Sequence, residues 1–389
     1  MFLDGVEPIR YAAPWDQYVG DRVVALCRRG AERRVAYFYE VPDTSTFRYR
    51  AYNMIQVLDS GDGPVAAAWF RKSELEQLLA LLPIIDVLVI CRVRYTHSVN
   101  RLITVARKNH CQTVFDCDDL VFDTDYTHLI LNTLDQNLSD MAWDHWYASI
   151  GRLGATAKMC DRAIFTNDYL AEKFLAFLPG RDVRVIPNFL NREQMTISRQ
   201  IYEAKRAGGF RSDGRIHLGY FSGTPTHNKD FAIVSGALAR LFARDKRLML
   251  RLVGFMEVPT ELKRFADRVD RHELQDFLNL QRLIGATEFN LVPLQDNPFT
   301  NCKSELKYFE AAITGTISLA SPTYVFRAAI RDGENGYLVN STDWEERIST
   351  AIDKVMSYSD MAEVSFRHAD LNYSWTMMGE KVQAALFDE

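Results

Sequence analysis

Short apolar runs alternate with amphipathic segments along almost the whole chain. The runs RVAYFYEV (34–41), VAAAWF (65–70), IDVLVICRV (85–93), TVFDCD (113–118), AIFTN (163–167) and VRVIPN (183–188) have the length and the β-branched or aromatic content of strands. Between most of them lie stretches such as KSELEQLLALL and SVNRLITVARK, whose apolar residues recur three and four apart, the spacing of one helix face. Continuously apolar strands interleaved with such helices predict a parallel sheet covered on both sides. Residues 191–214, NREQMTISRQIYEAKRAGGFRSDG, are polar and carry Gly-Gly and Asp-Gly near their end, which reads as a linker. The alternation resumes with RIHLGYFSG (215–223), LMLRLVG (248–254), NLVPL (290–294) and ISLAS (317–321).

The pattern predicts an α/β chain of two tandem Rossmann-like, doubly wound domains. The first spans 1–200, with 1–33 as a helical extension. A linker covers 201–214, the second domain 215–370, and a last helix 371–389. The length of 389 residues agrees, since one ordinary core serves roughly 150–200 residues. Two such domains face a cleft, and ligands of these sheets bind beyond the carboxyl ends of the strands. The residues just after each strand are therefore the candidates for chemistry.

Composition removes several classes. A net charge of −5 and a pI near 6.0 give no general footprint for nucleic acid. The six cysteines form no CxxC pair and no zinc spacing, and read as reduced thiols of a cytoplasmic protein. MFLDGVEPIRY has no apolar core of a secretory signal, and no window approaches the ~18 apolar residues of a membrane helix. The expectation is a soluble protein, or one resting peripherally on the inner membrane.

The stretch NCKSELKYFEAA (301–312) follows the run FNLVPL and carries two lysines and two glutamates. On a helix over 303–314, Leu306, Phe309 and Ile313 make the buried face, while Lys303, Lys307 and Glu310 fall within about 60° of one another on a different one. The helix start near Ser304 offers unpaired N–H groups, and with two lysines it suits a diphosphate. Glu310 then lies where a carboxylate accepts hydrogen bonds from a ribose. The plain alternative is a solvated charged stripe with a Lys307–Glu310 pair worth a few tenths of a kcal/mol.

The context of that stretch, TEFNLVPLQDNPFTNCKSELKYFEAAITGTISLASP followed by IRDGENGYLVN, resembles the C-terminal domain of GT-B glycosyltransferases, and more narrowly the group one, or family four, nucleotide-sugar enzymes. VRVIPNF (183–189), LRLVG (250–254) and YSW (373–375) extend the resemblance over most of the chain, thinly at the N-terminus. Glu310 matches the second glutamate of the family's Glu-x7-Glu motif, which implies a ribose contact. The first glutamate falls on Cys302, and Lys303 and Glu305 replace glycines common in the motif. The family's Arg/Lys phosphate pair is half present in GYFSGTPTHNKDF: Lys229 fits, while Ser222, Gly223 and Thr224 stand where the arginine would be. Lys303 or Lys307 would supply the missing charge. His227 in the same loop would touch the donor, the alternative being a merely exposed loop histidine. Donor binding is thus expected at Gly223, Thr224, His227, Lys229, Lys303, Ser304, Glu305, Lys307 and Glu310.

TVFDCDDLVFD (113–123) ends a first-domain strand with Asp116, Asp118 and Asp119. The resemblance places Asp118 where the family has a histidine and Asp119 on its aspartate, facing sugar and acceptor. A carboxylate beside an acceptor hydroxyl suits a general base, and Asp118 is the expected one. Rival readings are a DxD metal site and a simple turn cap; the resemblance implies no metal and no cofactor. Arg48 and Arg50 after the first strand, and Arg92 after the third, are expected at the cleft or acceptor, with solvated arginines as the alternative. The helix-spaced aromatics of MAWDHWYASIGRL (141–153) read as core, or as a lipid-facing patch.

The expectation is a glycosyltransferase moving a hexose or deoxyhexose from a nucleotide sugar to a glycan or lipid-linked glycan, in assembly of a bacterial surface polysaccharide such as an O-antigen, capsule or exopolysaccharide. The alternatives are a non-catalytic sugar- or nucleotide-binding module, with Cys302 marking a lost site, and a GT-B epimerase or phosphorylase.

Overall fold

A computed structural model of the chain describes residues 6–388 apart from 44, 60, 62, 135–137, 212 and 224–227. The first sheet holds β1 (Arg33–Tyr39), β2 (Val65–Arg71), β3 (Val87–Cys91), β4 (Gln112–Cys117), β5 (Arg162–Phe165) and β6 (Asp182–Val185), in the spatial order β2-β1-β3-β4-β5-β6. All neighbours are parallel. Alternation along each strand fills two cores. Ala36, Phe38, Leu88, Ile90 and Phe115 face one helical layer, while Val35, Tyr37, Val87, Val89 and Val114 face the other.

The second sheet holds β7 (Ile216–Ser222), β8 (Leu248–Gly254), β9 (Val269–His272), β10 (Phe289–Val292), β11 (Ile317–Ala320) and β12 (Tyr337–Leu338), in the order β12-β11-β10-β7-β8-β9, again parallel. The strand order reverses between β1 and β3 in the first sheet and between β7 and β10 in the second. Those reversals open the crevices where ligands of such sheets bind. Gly254 closes β8 beside the second crevice. Its φ is +96°, and a Cβ there would lie 1.8 Å from the Ser222 carbonyl oxygen.

The stretch that reads as a linker is mostly helix, Arg192–Ala207. Asn191 caps it, accepting from the Gln194 amide at 2.8 Å. Its polar residues form only the outer face. Met195, Ile201 and Tyr202 are buried, and Tyr202 stacks on Phe366 of the second domain at 3.9 Å between ring centroids. The first residues are helical only over Val19–Leu26. Before that helix, the chain runs out to the second-domain helix Phe277–Gly285: the Ile9 amide donates to Asn279 Oδ1 at 3.0 Å, Asn279 Nδ2 donates back to the Ile9 carbonyl at 2.9 Å, and Trp15 stacks on Phe277. The last helix, Gly379–Phe387, packs Met378, Val382 and Leu386 into the first domain's core. The two crossings of the chain pair with each other, Leu190 with Tyr373 and Trp375, at 2.8 and 3.0 Å.

In the helix Asp140–Met159, Ile150 and Leu153 are buried and Trp146 packs on the core, while Met141 is 79% exposed and Trp143 stacks on Tyr147. Among the described residues, no helix is long and apolar enough to cross a membrane.

Candidate active site

The loop after β1 leads into one π-helical turn, Arg48–Tyr52, a distortion frequent at functional sites. It aims Arg48 and Tyr49 at the second domain. Arg48 Nη1 donates to Gln194 Oε1 at 2.8 Å and its Nη2 to Glu310 Oε1 at 3.2 Å. Tyr49 Oη donates to the same Glu310 oxygen at 2.5 Å, and Gln194 Nε2 does so at 3.0 Å. No described residue donates to Glu310 Oε2.

Arg50 is no cleft residue, contrary to the sequence reading. Its Nε and Nη2 both lie 2.8 Å from the Asp116 carboxylate, and Nη1 donates to the Ile186 carbonyl and to Asn188 Oδ1. Its side chain is wholly buried. The pair removes Asp116 from the ligand-facing carboxylates. Burial still raises the Asp116 pKa, although Arg50 opposes the shift. Among the described residues no group of three or more His, Cys, Asp or Glu is arranged to hold a metal.

Arg92, just past β3, has φ +49°, the left-handed region rare for a long side chain. Its Nη1 donates to Asp118 Oδ1 at 2.9 Å and to Thr46 Oγ1 at 3.1 Å. Thr46 in turn donates to Asp118 Oδ2 at 2.9 Å. Asp119 Oδ2 lies 4.0 Å from Arg92, and its Oδ1 is sealed with no partner. Burial raises the Asp119 pKa, opposed chiefly by Lys303 and then Arg92. The turn that follows is capped by Asp123, which accepts from the Asp125 amide, so Asp119 does not serve as that cap. Arg94 pairs with Glu40.

On the second side, the predicted helix over 303–314 is shorter. Asn297 caps a turn, Pro298–Asn301; residues 302–305 bend; the helix proper is Leu306–Ala312. The bend arises from a contact with the first domain. Phe299 and Cys302 are buried in that domain's core, and Asn167 Nδ2 donates to the Cys302 carbonyl at 3.1 Å. Burial pushes the Cys302 thiol up, so no thiolate stands in for the family's first glutamate. The bend leaves Lys303 near enough to Asp119 to favour its charged form.

Lys307 Nζ donates to the Phe221 carbonyl at the end of β7, at 2.8 Å, and lies over the Tyr220 ring. Its pKa is lowered to about 8, chiefly by burial and also by Lys303, against the opposing pull of Asp230 and Glu310. The solvated-stripe alternative therefore fails for Lys307 and for buried Glu310. Glu305 is buried beside Tyr373, and burial raises its pKa to about 6. Its Oε2 and Ser304 Oγ lack hydrogen-bond partners. Tyr308 holds this helix in place from behind. It accepts from Asn335 Nδ2 at 2.8 Å, and Asn335 belongs to the DGENG turn that Gly333, with φ +82°, allows. Lys229 donates to the Asn132 carbonyl of the first domain at 2.8 Å. Gly223 directly follows β7 and is exposed. Thr224 and His227 lie outside the described residues.

The structure thus gathers Asp118, Asp119, Arg92, Arg48, Lys303, Lys307 and Glu310 at the facing crevices, and removes Arg50 from the proposed set. Sequence reasoning missed Thr46, Tyr49, Asn167 and Gln194. Asn167 carried a signal, since an asparagine ending an apolar strand before a helix is a cap; its Oδ1 accepts from the Leu170 amide while its Nδ2 reaches across.

Residues 215–357 match the family model for group 1 glycosyl transferases. Among solved structures, Anabaena HepE in complex with UDP and glucose is similar at a TM-score of 0.59 and 13% identity, over 90% of this chain and 97% of that one. Sucrose-phosphate synthase from Thermosynechococcus elongatus gives 0.58 and 14%, over 89% and 96%. A glycosyltransferase from Rickettsia africae gives 0.57 and 11%, over 91% and 99%. No curated protein matches the sequence. The chain has the GT-B fold, and its residues 215–357 are similar to the group 1 glycosyl transferases.

Proposed function

We propose that the chain transfers a hexose or deoxyhexose from a nucleoside-diphosphate sugar to a hydroxyl of a glycan or lipid-linked glycan. The observation that carries this reading is the pair of ammonium groups at the β7/β10 crevice. Lys307 is fixed on the Phe221 carbonyl, and Lys303 is close enough to lower its proton affinity. Two cations held together in a partly dry crevice call for a polyanion, and a diphosphate answers both. Glu310 lies on the same helix with Oε1 steadied by Tyr49, Gln194 and Arg48, and its Oε2 accepts the ribose hydroxyls. As the sugar–phosphate bond breaks, the lysines stabilise the charge gathering on the leaving diphosphate. The acceptor lies against the first domain, by Asp118, Asp119 and Arg92. Anabaena HepE, similar over most of the chain, is known in complexes with UDP, with UDP and glucose, and with UDP-glucose, which favours a uridine donor here. Assembly of a bacterial surface polysaccharide by a cytoplasmic enzyme, free or resting on the inner membrane, is the biological setting of this proposal.

The test is a thermal-shift panel of UDP, GDP, dTDP and CMP sugars on the wild type and on Lys303→Ala. Lys303 makes no side-chain hydrogen bond to a described residue, so its removal leaves the fold intact. Ligand at ~100 times its Kd adds about 2.7 kcal/mol of stability. One nucleotide series stabilising the wild type, and the variant at least tenfold more weakly, supports the reading; no response from any nucleotide sinks it.

A further inference from the structure

We propose that the segment before the first helix is a positioning device for the donor site: Trp15 holds the Phe277 ring against the Arg48 guanidinium and so fixes the Glu310 carboxylate. The inference rests on the reading of Glu310 as acceptor of the ribose hydroxyls.

Residues 6–15, VEPIRYAAPW, form neither helix nor strand. Their burial alternates. Ile9, Tyr11 and Ala13 are half-buried and Trp15 is buried, whereas Pro8, Arg10 and Ala12 are exposed, the period of an extended chain with one face covered. The helix Phe277–Gly285 of the second domain meets that face. Arg282 Nε donates to the Val6 carbonyl at 3.3 Å. Asn279, one turn earlier, accepts from the Ile9 amide at 3.0 Å and donates to the Ile9 carbonyl at 2.9 Å, so one side chain pairs the strap as a neighbouring strand would. Phe277, the first residue of the helix, meets Tyr11 edge-on at 5.8 Å between ring centroids and stacks on Trp15 at 5.9 Å. Trp15 is in turn seated on Phe47 and Tyr52 of the first domain, at 5.7 and 5.5 Å.

Phe277 has a further neighbour. The Arg48 guanidinium lies 4.8 Å from its ring centroid and 4.1 Å from that of Tyr49. Phe277 and Trp15 are both buried, so neither ring backs away without opening a void. A guanidinium set against aromatic rings is held by their quadrupoles and by its own flatness. That hold directs its N–H groups, one to Gln194 Oε1 and one to Glu310 Oε1. The same helix reaches Glu310 by a second route: Gln281 Nε2 donates to the Glu310 main-chain carbonyl at 3.2 Å and to Ser198 Oγ at 2.7 Å. The strap therefore bears on both the side chain and the main chain of Glu310 through one helix.

Loosening Trp15 frees the Phe277 ring, lets Arg48 turn, and costs Glu310 the orientation in which Oε2 meets the ribose. Lys307 is held separately, on the Phe221 carbonyl, so the grip on the phosphates stays. The signature of the strap is thus a loss of ribose recognition rather than a general loss of binding.

The experiment titrates UDP and 2′-deoxy-UDP, with GDP and 2′-deoxy-GDP in parallel, into wild type, Trp15→Ala, Trp15→Phe and Asn279→Ala by calorimetry. Leu153→Ala, a core variant of the first domain outside the strap and its partners, serves as the destabilised control. Circular dichroism follows folding. The wild type is expected to prefer the ribonucleotide by at least ~10-fold. Trp15→Ala should lose roughly fivefold in affinity for the ribonucleotide and stay within about twofold of wild type for the deoxy form. Trp15→Phe regains most of the preference, Asn279→Ala loses part of it, and Leu153→Ala keeps it. A folded Trp15→Ala that keeps the wild-type preference, or weakens both nucleotides equally, overturns the inference alone, as does a Leu153→Ala that loses the preference to the same extent. Should Trp15→Ala not fold, an Asn279→Ala with the wild-type preference overturns it in the same way. A wild type that binds these nucleotides without preference overturns it together with the ribose role of Glu310, and one that binds none overturns the transferase reading as well.

Discussion

Arg48 of the first domain donates to the carboxylate of Glu310 in the second across 3.2 Å, and both side chains are buried. The pair is the centre of a network with Tyr49 and Gln194. A buried ion pair adds little over an apolar replacement, but removing one partner strands the other. Arg48→Ala is therefore expected to destabilise by about 3 kcal/mol or more in urea unfolding. The double variant Arg48→Met/Glu310→Gln should cost less than the sum of its singles, with a coupling above ~1 kcal/mol. Additive losses would show that the two residues act independently.

Arg50, two residues further on, gives the opposite expectation for function. It closes on Asp116 inside the first domain and reaches the Ile186 carbonyl. Arg50→Ala should cost on the order of 3–5 kcal/mol because Asp116 is left charged and buried. The folded fraction should still bind nucleotide as wild type does, since the Arg50 side chain bonds only first-domain groups among the described residues. Isothermal titration at low temperature, corrected for the folded fraction, checks it, and a lost affinity would return Arg50 to the cleft.

The contrast between these two arginines shows what the sequence carried. The ten strands read from it stand within two or three residues of those in the structure, because apolar runs bounded by helix-period stretches are local signals. The two strands it missed, Val269–His272 and Tyr337–Leu338, are short, and the first alternates charge with a single valine. The helix around Lys307 starts later than its periodicity suggests because Cys302 is drawn into the other domain's core, a contact between distant segments. Neighbouring arginines, or neighbouring aspartates, look alike in a sequence. Which one faces the cleft depends on a π-helical turn at Arg48–Tyr52 and a left-handed backbone at Arg92, and neither has a compositional mark.

Glu305 offers a test of the unusual dryness of this region. Its pKa is raised by burial to about 6, against 4.5 when solvated. The folded chain thus holds more protons than the unfolded chain between those values, and stability falls as pH rises through them. Glu305→Gln removes the dependence. It should stabilise by on the order of 1–2 kcal/mol at pH 7 and leave stability nearly unchanged at pH 4.5. Thermal unfolding at the two pH values decides it; a variant less stable at pH 7 would mean that the ionised carboxylate is held by a partner.

Lys307 ties nucleotide affinity to pH in the range where enzymes are assayed. Burial lowers its pKa from 10.5 to about 8, with Lys303 adding to the shift. Between those values the unfolded chain holds more protons, so the ligand-free protein becomes more stable as pH rises there. Anion binding runs the other way. A diphosphate beside the ammonium favours its charged form, so above pH 8 binding must take up a proton. UDP affinity is then expected to fall up to about tenfold from pH 8 to pH 9 and to change little from pH 7 to pH 7.5. Titration calorimetry in two buffers of different ionisation enthalpy should show proton uptake at pH 8.5 and almost none at pH 7. Lys307→Met should bind more weakly and lose both the uptake and the slope. A wild type with neither would mean that Lys307 lies away from the phosphates, whatever else the crevice holds.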